Sequence, residues 1–151
     1  MPLLGASAGL NVMANDIRTT NDMHIAVQEL ADGSLVSRLD ALGVLPAHIS
    51  VNPHYIEKVV VSDEDRKRAI EINANLGIML DHQGEPRETR LKEVIEMDPG
   101  RVIIALREGP YLVISGQSMQ LKGETGGLIF KYDREPLEIA SGDELSHLLT
   151  I

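Results

Sequence analysis

The feature that most constrains this chain is Gly5-Ala6-Ser7-Ala8-Gly9, a G-x-S-x-G motif close to the N-terminus. This spacing predicts a serine on a sharp turn between a strand and a helix, because small neighbours let the backbone turn and leave the hydroxyl exposed. Such a serine can act as a nucleophile, with the N–H of Ala8 available to an oxyanion. Only Met1 to Leu4 precede the motif, so the strand that should present Ser7 is reduced to residues 2–4.

Composition narrows the class of protein. The 151 residues, 43% of them hydrophobic, predict a single domain with a real core. The net charge of −9, without a lysine or arginine cluster, argues against nucleic acid as a partner. The chain has no cysteine, and its histidines lack metal-ligand spacing, so we expect neither a metal nor a cofactor. With no run of about 18 apolar residues and no signal peptide, we expect a cytoplasmic protein that does not enter membranes.

The patterning predicts an α/β fold with a β-rich C-terminal part. Helices or helical turns are expected at residues 8–14, around 35–42, from Ser62, at 86–97 and within 142–151. Strands are expected within 48–54, where the strand runs into a loop or forms a pair with residues 42–46, and at 102–106, 111–114, 119–121, 128–132 and 137–139. Residues 15–23 and much of 28–40 are polar and predict loops.

Three chemically active side chains follow predicted strands: Ser7, His54 and Glu108. Strand C-terminal ends gather at one edge of an open α/β sheet, so these groups could meet as nucleophile, general base and orienting acid. The chain order serine, histidine, acid differs from the serine, acid, histidine order of the α/β-hydrolases and argues against that class. Asp22 or Asp40, each preceding His54, could still mimic the hydrolase order.

Four blocks of residues resemble the peptidase E family, the aspartyl dipeptidases, and the Leu106-Arg107-Glu108-Gly109 corner is similar to a fifth. The four blocks are Gly5 to Gly9 with Asn11, Ile17-Arg18-Thr19-Thr20-Asn21-Asp22-Met23, Asn52-Pro53-His54-Tyr55, and Gly84-Glu85-Pro86-Arg87-Glu88 with Arg90. Two departures stand out. Ala6 occupies a position where the family carries an aromatic residue, and residues 56–83 look like an insertion.

The resemblance implies a partial three-layer sandwich of the glutamine-amidotransferase-like type. It also implies a serine peptidase that hydrolyses small peptides with an N-terminal aspartate through an acyl-enzyme. In that scheme Ser7 is the nucleophile, His54 the general base and acid, and Glu108 the orienting carboxylate. Ala8 supplies an oxyanion N–H.

Arg87 occupies the position that resembles the family's binding group for the substrate's aspartyl carboxylate. A guanidinium suits this role because it offers a carboxylate two parallel hydrogen bonds. From the residues alone, the favoured interpretation of Arg87 is a surface helix residue paired with Glu85 or Glu88, and only the resemblance reverses it. The resemblance further implies that three polar side chains line or brace the site: Arg18, Asn21 and Asp22.

The family's fold begins with several β-α units before the serine turn, so residues 1–151 resemble the C-terminal portion of one catalytic domain. We therefore expect weak or absent turnover without an N-terminal half, whose place a homodimer could also take. Two alternatives stay open. One is a cyanophycinase-like amidohydrolase that uses the same three residues on β-linked Asp-Arg. The other is a non-catalytic fragment that folds only with a partner or by self-association.

Overall fold

The computed structural model describes residues 2–19, 27–29, 35–37, 40–55 and 87–150, and shows an α/β fold. Two helices and a 3₁₀ turn are described: α1 (Ala8–Val12), α2 (Arg87–Met97) and Ser146–Leu148. Eight strands are described: β1 (Val27–Glu29), β2 (Leu35–Ser37), β3 (Ile49–Asn52), β4 (Val102–Leu106), β5 (Tyr111–Ser115), β6 (Ser118–Lys122), β7 (Gly127–Lys131) and β8 (Leu137–Ile139).

The central sheet is mixed and has the strand order β3-β4-β7-β8. Strand β3 runs parallel to β4, with Val51 opposite Ile104, whereas β7 is antiparallel to both β4 and β8. All five residues of β4 are buried, as its continuous apolar sequence predicts. The parallel β3–β4 pair matters for function because it brings the residues that follow both strands to one edge of the sheet.

Side chains alternate across β4 and divide the core between the two faces of the sheet. Ile103 and Ala105 belong to the cluster that includes Leu91, Val94 and Ile95 of α2. The even-numbered residues of β4 belong to a second cluster with residues of β6 and the C-terminal turn, such as Met119, Leu121 and Leu148. Apolar burial therefore fixes the sheet between α2 and the C-terminal part of the chain.

A buried ion pair holds the loop after α1 against the start of β4. The Arg101 side chain is only 6% exposed, and its Nη2 lies 2.8 Å from Asp16 Oδ2 and 2.9 Å from Asp98 Oδ2. Its Nη1 donates to Ser50 Oγ, 2.5 Å away on β3. A buried guanidinium needs these partners, because an isolated buried charge is costly.

Most element predictions are confirmed within a residue or two, including the strands of the C-terminal part and the helical turn near the end of the chain. The helical turn predicted around residues 35–42 is wrong. Residues 35–37 form β2, which pairs antiparallel with β1, and this cross-strand ladder overrides the weak local preference. The helix predicted from Ser62 and the insertion at 56–83 lie outside the described residues.

The segment before Ser7 also differs from the prediction. Residues 2–6 form no strand in the described structure, and Leu4 is 96% exposed. A three-residue extended segment becomes a strand only when a neighbouring strand hydrogen-bonds with it, and no such ladder is made within the described ranges.

In those same ranges, no helix is long and apolar enough to cross a membrane.

Candidate active site

Ser7 lies directly before α1 with backbone angles φ 53° and ψ −127°, a conformation that most side chains avoid. Strain of this kind is typical of a nucleophile on a sharp turn. Gly5 is required there, because a Cβ on Gly5 would lie 2.7 Å from the Gly9 carbonyl oxygen. Gly9 itself has open space where a Cβ would be, so the second glycine of the motif is not required sterically.

His54 and Glu108 follow the parallel strands β3 and β4. His54 has a left-handed backbone, φ 56°, and the N–H of Tyr55 donates to the carbonyl of Leu106 at 2.8 Å, which joins the two strand ends. His54 Nε2 lies 2.9 Å from Ser7 Oγ, and His54 Nδ1 is paired with Glu108 Oε1. The structure thus brings the three predicted residues into contact in the order serine, histidine, acid. The His54 and Glu108 side chains remain 42% and 74% exposed.

The loop that contains Gly123 and Thr125 packs against the corner that carries Glu108. The Thr125 hydroxyl donates to the Glu108 carbonyl. A Cβ on Gly123 would lie 2.6 Å from the Gly109 carbonyl oxygen, so a glycine at 123 lets that loop approach the corner. Neither contact was predicted from the sequence.

The neighbouring Arg107 forms a two-point ion pair with Glu138 of β8, in which Nη2 and Oε2 lie 3.0 Å apart. This hydrogen bonding holds the pKa of Glu138 below its usual value. The pair ties the Glu108 corner to the far strand of the sheet.

Arg87, the first residue of α2, contacts the backbone of the turn that carries His54. Its Nη1 donates to the carbonyls of Pro53 and His54. Partial burial lowers the pKa of Arg87, and the negative charge of Glu108 opposes that shift. Arg87 is therefore not a simple surface residue paired with Glu88, which instead pairs with Lys92 at 2.7 Å.

Arg18, the other predicted binding residue that the structure describes, is not brought to Ser7, His54 and Glu108. Arg18 is paired with Asp16, 3.6 Å between Nε and Oδ2, and makes no hydrogen bond to the triad among the described residues. Asn21 and Asp22 lie outside the described residues. Asp40 forms a backbone bridge with Asp16, and the acid that contacts His54 is Glu108, which gives no support to the hydrolase order.

A buried polar cluster between α1 and β3 was not predicted from the sequence. Thr19, Asn11 and Asn52 are 1%, 5% and 2% exposed, and Thr19 hydrogen-bonds to both asparagines between α1 and β3. All three lie in the blocks that carry the family resemblance, but polar letters in a sequence do not reveal burial. Within the described ranges no group of His, Asp and Glu side chains could hold a metal ion.

A serine, a histidine and a carboxylate in successive contact form the arrangement used by enzymes with a nucleophilic serine. Comparison with known proteins identifies a family of peptidases. The model of the family described as Peptidase family S51 matches residues 1–122. The chain therefore belongs to peptidase family S51, and the resemblance to peptidase E drawn from the sequence blocks is confirmed.

Individual relatives extend the match over the whole chain. Peptidase E of Streptomyces coelicolor is 34% identical over 151 residues, 100% of this chain and 50% of that protein. Peptidase E of Shewanella oneidensis is 34% identical over 148 residues, and a probable alpha-aspartyl dipeptidase of Drosophila melanogaster is 30% identical over 149 residues. These matches cover 98% and 99% of this chain and 50% of each relative, so the chain spans about half the length of the curated relatives it matches.

Proposed function

We propose that this chain carries the catalytic triad of a serine dipeptidase that hydrolyses peptides with an N-terminal aspartate. The observation that carries the proposal is the placement of His54 between Ser7 Oγ and the Glu108 carboxylate. The name of the Drosophila relative, a probable alpha-aspartyl dipeptidase, supports the substrate class.

In the proposed reaction, Ser7 Oγ attacks the carbonyl carbon of the aspartyl residue while His54 Nε2 accepts the hydroxyl proton. Glu108 orients the imidazole through Nδ1 and stabilises the imidazolium that forms. The Ala8 N–H donates to the oxyanion. The C–N bond then breaks, His54 returns the proton to the leaving amine, and water attacks the resulting aspartyl ester by the same route in reverse.

Arg87 is our candidate for binding the substrate's side-chain carboxylate. A guanidinium has five N–H donors, and the two backbone contacts use one terminal nitrogen, Nη1. The second terminal nitrogen and Nε leave donors for a carboxylate near the triad. Arg18, Asn21 and Asp22 complete the proposal as residues that line or brace the site.

We further propose that the full fold is a glutamine-amidotransferase-like sandwich of a cytoplasmic enzyme, to which residues 1–151 contribute the C-terminal portion of one domain. The exposure of Leu3, Leu4 and Val44, which are 58%, 96% and 47% exposed, favours a covering partner. That partner is either an N-terminal half or a second copy of the chain. The same exposure favours the second candidate function, a non-catalytic fragment that folds by association.

The testing experiment is hydrolysis of Asp-Leu by the purified chain, beside Leu-Leu and β-linked Asp-Arg. Matched variants are Ser7→Ala and Ser118→Ala, the latter at an exposed serine of β6. Turnover of Asp-Leu alone, lost only in Ser7→Ala, supports the dipeptidase. Preference for β-linked Asp-Arg supports the cyanophycinase-like amidohydrolase. A folded chain without turnover, whose folding depends on concentration, supports the fragment.

A further inference from the structure

The buried polar cluster between α1 and β3 joins the helix that follows Ser7 to the strand that precedes His54. The Thr19 hydroxyl donates to the carbonyl of Val51 in β3 at 2.6 Å, and it lies 3.2 Å from Oδ1 of Asn11 in α1. The Asn52 side-chain amide donates in turn to the backbone carbonyl of Thr19. One residue, Thr19, therefore contacts both elements.

The hydrogen bonds of this cluster require a hydroxyl group at position 19. A threonine hydroxyl carries one hydrogen, and the shorter contact assigns that hydrogen to Val51. Exchange of O and N in the Asn11 amide, which leaves its shape unchanged, lets that amide donate to Thr19 Oγ1 at the same time. Asn52 Oδ1 has no hydrogen-bond partner in the described part of the chain, so the contact with Thr19 is what orients that side chain.

The triad needs such a connection because neither of its first two members lies within a helix or strand. Ser7 and His54 both have positive φ, 53° and 56°, at the ends of separate elements. Their side chains meet across 2.9 Å at an exposed surface. Asn11 lies about one helical turn after Ser7, and Val51 and Asn52 immediately precede the turn that carries His54.

We infer that Thr19 is a positioning residue that sets the distance between Ser7 Oγ and His54 Nε2, an inference that rests on the proposed function. Thr19 does not contact the triad and acts through Asn11, Val51 and Asn52. A misplacement of about 1 Å in a catalytic group can cost about 10²-fold in rate. Removing the buried Thr19 hydroxyl should therefore lower the rate at which Ser7 reacts.

The test uses Thr19→Val, which keeps the shape and removes the hydroxyl, and Thr19→Ser, which keeps the hydroxyl. The matched control is Ser50→Ala, which also removes a fully buried hydroxyl; Ser50 lies in β3 and its hydroxyl contacts Arg101 instead of the cluster. The first readout is the rate at which an organofluorophosphonate labels Ser7, measured by intact mass in all four proteins. We expect Thr19→Val to label about 10²-fold more slowly, while Thr19→Ser and Ser50→Ala label like the wild type.

A second readout does not require any reactivity. The ¹⁵N shift of His54 Nε2 should change on Ser7→Ala in the wild-type background, because the two groups are hydrogen-bonded. That change should shrink in the Thr19→Val background and persist in the Thr19→Ser and Ser50→Ala backgrounds. Far-UV circular dichroism verifies that each variant is folded.

Several results would overturn the inference. The first is a labelling rate of Ser7 that falls equally in Thr19→Val and in Ser50→Ala. The second is a labelling rate that falls equally in Thr19→Val and in Thr19→Ser. The third is a change in the His54 Nε2 shift on Ser7→Ala that is as large in the Thr19→Val background as in the wild type. Failure of the proposed function is distinguishable from these. If the wild-type chain leaves Asp-Leu intact while Thr19→Val still lowers labelling or the coupled shift, the substrate proposal fails and the positioning role stands.

Discussion

Replacing Glu108 by glutamine tests how an exposed acid supports the proposed triad. The change keeps the shape of the side chain and removes the charge that faces His54 Nδ1. A unit charge pair at about 4 Å is worth about 1 kcal/mol in water and about 4 kcal/mol at an effective dielectric constant of about 20. The exposures of 42% and 74% place this pair between these limits. At about 1.4 kcal/mol per factor of ten, the expected loss in rate lies between about fivefold and about 10³-fold.

Exposure also determines how the glutamine behaves. A buried amide can be locked with its NH₂ toward the histidine, which enforces the wrong tautomer and costs about 10⁴-fold in such triads. An exposed amide rotates and can present its oxygen to Nδ1–H. We therefore expect a loss of about 10²-fold in the labelling rate of Ser7 and in kcat for Asp-Leu, with KM nearly unchanged. A loss as complete as that of Ser7→Ala would refute this reasoning and show that Glu108 is buried in the working enzyme.

Two further predictions concern stability. Gly127→Ala places a Cβ 2.3 Å from the Ala105 carbonyl oxygen, so it should lower the free energy of unfolding by about 1–3 kcal/mol in urea titrations. Gly9→Ala, with open space at its Cβ, should stay within about 1 kcal/mol of the wild type, and an equal loss in both would contradict the steric account. The Arg107 pair lowers the pKa of Glu138, so its stabilisation is present above the ordinary glutamate pKa and is lost as pH falls through the lowered value. At 62% exposure the pair is worth at most about 1 kcal/mol, so thermal unfolding of wild type and Glu138→Gln should differ at about pH 6 and converge as the pH falls through the lowered pKa of Glu138.

The parts of the fold that the sequence predicts well are those in which local pattern and burial agree. The continuous apolar run of β4 can be satisfied only by burial on both faces, and the structure buries all five of its residues. His54 and Glu108 each follow a predicted strand, and strand ends gather at one edge of an α/β sheet, so the sequence predicted that the two side chains could meet; the structure adds that the two strands are parallel neighbours. Ser7 joins them through the turn that its small neighbours allow.

The missed features depend on partners that are distant in the chain. The contacts of Arg87 with the carbonyls of the Pro53-His54 turn join residues more than thirty positions apart, and no local pattern encodes them. Thr19 lies in a polar stretch whose composition predicts solvent exposure, yet it is 1% exposed and its hydroxyl donates to the carbonyl of Val51 in β3, 32 positions away in the chain. Strand β2 exists through its pairing with β1, and residues 2–4 make no such pairing in the described structure.

In the proposed reaction, Ser7 becomes covalently aspartylated. The most direct measurement is intact-mass analysis of the chain quenched with acid during turnover of an aspartyl p-nitrophenyl ester, followed by peptide mapping. We expect a mass increase of one aspartyl residue, located on Ser7 and absent from Ser7→Ala. An adduct on another residue, or hydrolysis that continues undiminished in Ser7→Ala, would contradict it.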